Sequence, residues 1–141
     1  MAQKMLRELT ADEIETFWRD GIVCLRAIVD PQLLHDMSEP VAALVGTSGV
    51  ADLSAMGDAI AASGQDVQRG DVPTSGRGRF FAGVDHWLEH QEFRDFSCNT
   101  VLPEIAGQVM KSSRIHLWED SVLFKELAHC LTRWAIDMCW V

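Results

Sequence analysis

The chain has 141 residues, of which 48% are hydrophobic and 23% charged, and its formal net charge is -9 at pH 7. This acidic balance argues against a nucleic-acid binder, which usually presents a basic face, and against attraction to an anionic membrane. The sequence has neither a stretch of about 18 apolar residues, as a membrane span requires, nor an N-terminal signal peptide. These features predict one small cytoplasmic domain, or part of a larger one.

The first predicted helix follows Thr10. Thr10 is a favourable N-cap residue, and Glu13 three positions later completes a capping-box pattern. Gly21 is expected to end the helix, because glycine adopts the left-handed conformation common at this position. The short apolar run at residues 22–25 then predicts a buried strand.

A second helix is predicted to begin at Asp30 and Pro31, with Asp30 as N-cap and proline in the first turn. Pro40 is expected to kink or split it, because proline lacks the backbone N–H that an uninterrupted helix needs. The glycines within residues 46–49 are expected to end it.

The remainder of the chain alternates predicted helices and strands around one loop. Residues 63–78 contain Gly, Asp, Pro and Ser with almost no apolar side chains, which predicts an exposed loop. Asp85 is expected to cap a helix whose apolar face includes Trp87, His90 and Phe93. The other predicted elements are a helix at 51–62, a strand at 79–83, a helix at 102–111 and a strand at 115–124.

Two segments carry a resemblance to a known family. Residues 114–126 read RIHLWEDSVLFKE and lead towards WAIDM at residues 134–138, and residues 9–26 pair a capped helix with a Gly-aliphatic run. Together they resemble the phytanoyl-CoA dioxygenase family of Fe(II)/2-oxoglutarate-dependent oxygenases. In that family a strand ending in Lys-Glu-Pro-Gly-Thr is followed by an aromatic residue and then His-x-Asp. The resemblance extends over residues 9–125.

The resemblance implies an α+β fold. It consists of N-terminal helices plus the first strands of a double-stranded β-helix, a cupin-like jelly roll, whose barrel is incomplete in this chain. Residues 1–141 would then form a single partial domain. Enzymes of this family hold Fe(II) with two histidines and a carboxylate, bind 2-oxoglutarate, and hydroxylate a small molecule or an acyl thioester.

Two residues match positions with roles in the family. Asp137 aligns with the carboxylate metal ligand, and Lys125 with a lysine near the co-substrate; a solvated lysine at a strand end is an equally good interpretation of Lys125. Ala135 stands where the family has its first histidine, and residues 127–129 replace Pro-Gly-Thr. A local reading-frame shift is one hypothesis for this departure. The resemblance therefore implies weak iron binding and no turnover, with no catalytic residue assigned.

Other side chains suggest metal sites only weakly. His86 and His90 have the i, i+4 spacing of a helical ligand pair, but no third ligand is evident, and a capped amphipathic helix explains them more simply. His116 and Glu119 fall on opposite faces of a strand. His129, eight residues before Asp137, is a remote substitute for the missing ligand. The four cysteines are widely spaced and predict free thiols.

An alternative function is a non-catalytic helical protein-interaction module. The predicted strand at 115–124 would offer an unpaired edge through which the chain could self-associate. A third interpretation is poor folding, because exposed apolar side chains near the C-terminus would promote aggregation. These side chains are Trp134, Met138, Cys139, Trp140 and Val141.

Overall fold

The computed structural model describes residues 4–55, 79–127 and 130–140, with side chains described through Lys125. These residues contain six helices and four strands. The helices are α1 (Ala11–Asp20), α2 (Pro31–Asp36), α3 (Ser38–Leu44), α4 (His86–Glu89), α5 (Gln91–Cys98) and α6 (Leu102–Val109). The strands are β1 (Ala51–Asp52), β2 (Phe80–Val84), β3 (Leu117–Leu127) and β4 (Cys130–Trp140). The loop predicted at 63–78 and the apolar C-terminal side chains lie outside the described part.

The capping box predicted for α1 is confirmed. The Thr10 hydroxyl accepts a hydrogen bond from the Glu13 N–H at 3.2 Å, and the Glu13 carboxylate accepts one from the Thr10 N–H at 2.9 Å. Arg7 donates two further hydrogen bonds to Glu13. These bonds are the largest cause, and the hydrogen bond from the Thr10 N–H the second, that lowers the pKa of Glu13 to about 2. Gly21 ends the helix with φ 75°, and its N–H donates to the Phe17 carbonyl.

The buried strand predicted at residues 22–25 is wrong. This segment has no regular secondary structure and pairs with no described strand, and Ile22 is 74% exposed. The chain turns into the core later, at Ile28, which is 3% exposed and whose carbonyl accepts a hydrogen bond from the Leu6 N–H at 2.9 Å. A short apolar run is compatible with several structures, and here the N-terminal segment supplies isolated hydrogen bonds from Leu6 and Arg7 rather than a ladder.

The split predicted at Pro40 is confirmed. Asp30 caps α2 by accepting a hydrogen bond from the Gln32 N–H at 2.9 Å, and the helix ends at Met37. Pro40 lies in the first turn of α3, where the missing N–H is tolerated. The glycine-containing segment ends α3 as expected, with Gly46 at φ 85°. The two helices bury one apolar face, formed by Leu33, Met37, Val41 and Leu44.

The four strands form one open antiparallel sheet in the order β1-β2-β3-β4. The helix predicted at 51–62 is wrong at its start, because Ala51 pairs with Ala82 of β2 and the Leu53 N–H donates to the Phe80 carbonyl. Its remainder from residue 56 lies outside the described residues. Composition alone favoured a helix there, whereas the neighbouring strand β2 supplies backbone partners that only an extended segment can use.

Strand β3 lies in the interior of this sheet, between β2 and β4, so the prediction that it offers an unpaired edge is wrong. It begins at Leu117, and therefore Arg114 and His116 precede it. Within the part of the chain described, β4 is instead the terminal strand on that side. Val122 of β3 faces the apolar core and is 1% exposed, whereas Leu123 beside it points to the other face and is 37% exposed.

The protein thus combines helices and strands around one apolar core, as the mixed α+β prediction requires. Helices α4 and α5 pack against β3, and α1 packs against α6. Among the described helices, none has the length and apolar character needed to cross a bilayer. The buried core residues outside α2 and α3 are Ile28, Val50, Phe81, Phe93, Phe96, Val101, Ile105, Val109 and Val122.

Candidate functional site

The residues assigned through the family resemblance lie on β3 and β4. Lys125 is exposed and stands opposite Phe80 of β2 and Arg133 of β4. Asp137 occupies the register position opposite Ser121. Asp137 is therefore four positions along β4 from Arg133, the partner of Lys125, which is about 13 Å at the usual rise of a strand. The structure does not bring Lys125 and Asp137 together.

The weaker metal candidates are also separated. His116 is exposed and precedes β3, whereas Glu119 lies within the strand. His129 lies outside the described residues. No group of three or more histidine, cysteine or acidic side chains in the described part is arranged to hold a metal ion. Cys24 and Cys98 are exposed free thiols.

A more elaborate arrangement surrounds the start of α4. Asp85 was expected to cap this helix, but its backbone is left-handed at φ 62° and its side chain makes no capping hydrogen bond. Asp120 of β3 takes that role from outside the helix. Its Oδ1 accepts a hydrogen bond from the Trp87 N–H at 3.2 Å, and its carbonyl accepts one from the Asp85 N–H at 2.9 Å. Asp120 thereby attaches the start of α4 to the sheet.

His86, the first residue of α4, is buried against two glycines. It is 3% exposed, and a Cβ atom at Gly83 would lie 2.7 Å from its Nε2. A Cβ at Gly49 would lie 3.5 Å from its Cε1. The imidazole therefore leaves no room for a Cβ at Gly83, whereas a Cβ at Gly49 would make an ordinary van der Waals contact with it.

Three aromatic rings cluster where α4 gives way to α5. The centroids of His86 and His90 are 6.0 Å apart, and Phe93 lies 5.4 Å from His86 and 5.9 Å from His90. The helix predicted to carry these residues is interrupted at His90, whose extended backbone separates α4 from α5. The pairing of His86 with His90 suggested by their spacing is thus present as a ring contact within an aromatic cluster.

Burial dominates the electrostatics of this region. Asp120 is 0% exposed, and desolvation raises its pKa, although the Trp87 N–H and the nearby His86 partly oppose the shift. Desolvation lowers the pKa of His86, with Asp120 opposing. Asp120 Oδ2 and His86 Nε2 have no hydrogen-bond partner among the described residues. Both groups are therefore held in surroundings that favour their neutral forms.

A cavity of about 570 Å³ opens beside this cluster. Its walls come from α3 and the segment that follows it, and from residues 84–93. His86, His90 and Phe93 line it together with the carboxylate residues Asp85, Glu89 and Glu92. The cavity thus combines aromatic walls with acidic side chains.

Sequence reasoning found the two histidines but missed Asp120 as their neighbour. Simple alternation along β3 would place Asp120 on the same face as Trp118, yet Trp118 is 70% exposed while Asp120 is buried. The register of β3 against β4 shifts between Leu117 and Glu119, which breaks the simple alternation. The available signal was the two-residue spacing of Asp120 from Val122, a position that belongs to the buried face.

No family model, curated protein or solved structure matches the chain.

Replacing Asp120 with asparagine is expected to stabilise the protein at pH 7 by about 1 kcal/mol, because the amide oxygen can still accept the Trp87 N–H while the buried charge is removed. The raised pKa of Asp120 means that the native state binds its proton more readily than the unfolded state does. The contribution of Asp120 to the stability of the wild type is therefore greatest below its ordinary pKa of 3.8 and is lost as the pH rises. Urea unfolding across pH 3.5 to 7 should show the difference closing towards acid.

The control is Asp120→Ala, which leaves the Trp87 N–H without its acceptor and should cost about 1–3 kcal/mol relative to Asp120→Asn. In all three proteins, the contribution of His86 to stability changes with pH in the opposite direction. Because the pKa of His86 is lowered, stability is lost as the pH falls below its ordinary pKa of 6.5. A wild-type protein more stable than Asp120→Asn at pH 7 would contradict the account of Asp120 as a desolvated carboxyl.

Proposed function

We propose that this chain carries the N-terminal helices and first strands of a non-haem Fe(II)/2-oxoglutarate oxygenase fold of the phytanoyl-CoA dioxygenase type. The observation that supports the proposal most is the sequence of the antiparallel β3 and β4 pair. The resemblance motif ending at Lys125 runs along β3, and the WAIDM segment with Asp137 runs along β4. A completed enzyme of this type would hydroxylate a small molecule or an acyl thioester, and the bound iron would supply the oxidation chemistry.

The iron ligands present in this chain do not fit a complete site. A non-haem iron of this class needs two histidines and a carboxylate. Asp137 supplies a carboxylate, but Ala135 has a methyl group where the neighbouring ligand would be, and a methyl group cannot coordinate a metal. We therefore assign no catalytic step to this chain and propose that it binds iron weakly and does not turn over.

The proposal predicts that Ala135→His will restore a metal-binding pair. Positions 135 and 137 are two residues apart in β4 and so share one face of the strand. Co(II) can be titrated under reducing conditions and followed by its absorption spectrum and by calorimetry. We expect Ala135→His to bind Co(II) about tenfold more tightly than the wild type, and Ala135→His with Asp137→Asn to lose the gain.

The control adds a histidine elsewhere. Ala42 is exposed on α3, so Ala42→His changes the histidine count without altering the β3 and β4 pair. An equal gain in Ala42→His, or no gain in Ala135→His while its circular dichroism spectrum matches that of the wild type, would contradict the oxygenase proposal.

A second candidate function is a non-catalytic interaction module that associates through β4. The observation that favours it is that β4 spans 11 residues and, among the described strands, pairs only with β3. An edge strand of this length presents backbone groups that can pair with another chain. If Ala135→His gains no Co(II) affinity and sedimentation shows concentration-dependent association, this function would replace the first.

A further inference from the structure

We propose that β4 pairs with β4 of a second copy of this chain, antiparallel and in a register centred on Ala135. The inference rests on the second candidate function, association through β4, and names both the partner and the register. The four-stranded sheets of the two copies would form one continuous sheet, related by a two-fold axis at Ala135. Such a dimer is closed, because both copies use the same strand.

The sequence of β4 lacks the residues that usually prevent a terminal strand from pairing with another molecule. Proline and lysine commonly have this role. The strand reads CLTRWAIDMCW over 11 residues and contains neither of them. Among the described strands it pairs only with β3, and the ladder between them is regular from Arg133 to Cys139. This stretch therefore offers a regular backbone to a further strand.

Two-fold symmetry restricts the registers in which β4 can pair with its copy. Residues directly opposite each other on antiparallel strands lie on the same face of the sheet, whereas successive residues of one strand lie on opposite faces. The axis must therefore pass through a residue and not between two residues. The register with the greatest overlap is centred on the middle residue, Ala135, which is five positions from Cys130 and from Trp140.

The charges of β4 select the same register. Its charged residues are Arg133 and Asp137, each two positions from Ala135. An axis at Ala135 thus places Arg133 of each copy opposite Asp137 of the other, an arrangement that stabilises antiparallel pairs. An axis at Arg133 or at Asp137 would place like charges opposite each other. An axis at Trp134 or at Ile136 would place both charged residues opposite uncharged ones.

The register of β4 against β3 gives a further reason for this partner. Arg133 stands opposite Lys125 of β3, and like charges directly opposite each other destabilise a sheet. Asp137 stands opposite the uncharged Ser121, so β3 supplies no cation at that position. In the proposed dimer, the second copy would place an opposite charge on the other side of both Arg133 and Asp137.

Sedimentation equilibrium of the full chain measures the dimer dissociation constant, under reducing conditions because β4 contains two cysteines. Arg133→Asp and Asp137→Arg each place like charges opposite each other on both sides of the axis, so each should weaken the dimer about tenfold. Combining the two substitutions exchanges the charges and should recover most of the lost affinity. Arg114→Asp is the matched control for Arg133→Asp, since Arg114 is exposed and precedes β3, and it should leave the dissociation constant unchanged.

A mixture of two variants tests the register most directly. In a mixed dimer of Arg133→Asp with Asp137→Arg, unlike charges again stand opposite each other at both positions. We therefore expect the mixture to dimerise more tightly than either variant alone. Circular dichroism and unfolding curves verify that each variant folds, and Arg133→Asp should fold well because it places a carboxylate opposite Lys125.

Three outcomes would overturn the proposal. They are a monomeric wild type up to its solubility limit, equal weakening in Arg133→Asp and Arg114→Asp, and no recovery when the charges of β4 are exchanged. Dimerisation that every variant retains would overturn this register while leaving association as a function. A monomeric wild type would leave the oxygenase proposal to the Co(II) experiment, which measures metal binding and not association.

Discussion

Replacing Phe93 with alanine is expected to destabilise the protein by about 3–5 kcal/mol, the range observed for deleting a fully buried aromatic side chain. Phe93 is 2% exposed and lies beside the rings of both His86 and His90, so its removal would leave a void beneath the cavity wall. Urea unfolding at pH 7 measures the loss. The midpoint should fall sharply while the slope of the transition stays unchanged.

Two comparisons make this result specific. Leu88→Ala removes an apolar side chain from the same cavity wall, but Leu88 is 52% exposed, so we expect a change within about 0.5 kcal/mol. Phe93→Leu keeps most of the buried carbon and should lose clearly less than Phe93→Ala. Similar losses for Leu88→Ala and Phe93→Ala would show that Phe93 is not part of a close-packed core.

The parts of the fold that sequence reasoning predicted well are those fixed by neighbouring residues. The hydrogen bonds of the α1 capping box join Thr10 to Glu13, three positions away. The split between α2 and α3 follows from the missing N–H of Pro40. Such features need no information about distant parts of the chain, so the sequence predicts them directly.

The predictions that failed depend on partners distant in the sequence. Whether residues 22–25 form a strand depends on an available neighbour, and none of the described strands provides one. Ala51 is a strand residue only because Ala82 lies beside it, 31 positions later. The predicted edge of β3 is covered by β2 on one side and β4 on the other. Side-chain periodicity does not reveal which strands will be adjacent.

In the candidate site, too, the features fixed by neighbouring residues could be predicted from the sequence, and those that depend on distant residues could not. The spacing of His86 and His90 is local, and their rings are indeed in contact range. Asp120, which caps α4, lies 33 positions after Trp87, whose N–H it accepts. The sequence near α4 instead predicted Asp85 as the cap. The cavity itself requires α3 and α4 to meet, which only the tertiary structure shows.

Replacing Gly83 with alanine should cost up to about 3 kcal/mol, the upper part of the usual range for inserting one carbon into a packed region. The new Cβ would lie 2.7 Å from His86 Nε2 and 2.9 Å from Val50 Cγ1, and closer still to the carbonyl oxygen of Gly49. A flexible side chain could move aside, but this carbonyl belongs to the backbone next to β1. The required adjustment therefore displaces the segment that forms one wall of the cavity.

Gly49→Ala provides the matched comparison, because Gly49 lies against the same imidazole. A Cβ there would lie 3.5 Å from His86 Cε1 and 3.5 Å from Thr47 Oγ1, which are ordinary van der Waals contacts. Without a clash, the loss of backbone freedom in the unfolded chain should make this variant neutral or more stable, by up to about 1 kcal/mol. Chemical unfolding of Gly83→Ala and Gly49→Ala should thus give changes in the free energy of unfolding that have opposite signs or clearly different sizes. Equal effects would mean that Gly83 is not packed against Gly49, Val50 and His86 as the structure describes, since these close contacts distinguish the two glycines.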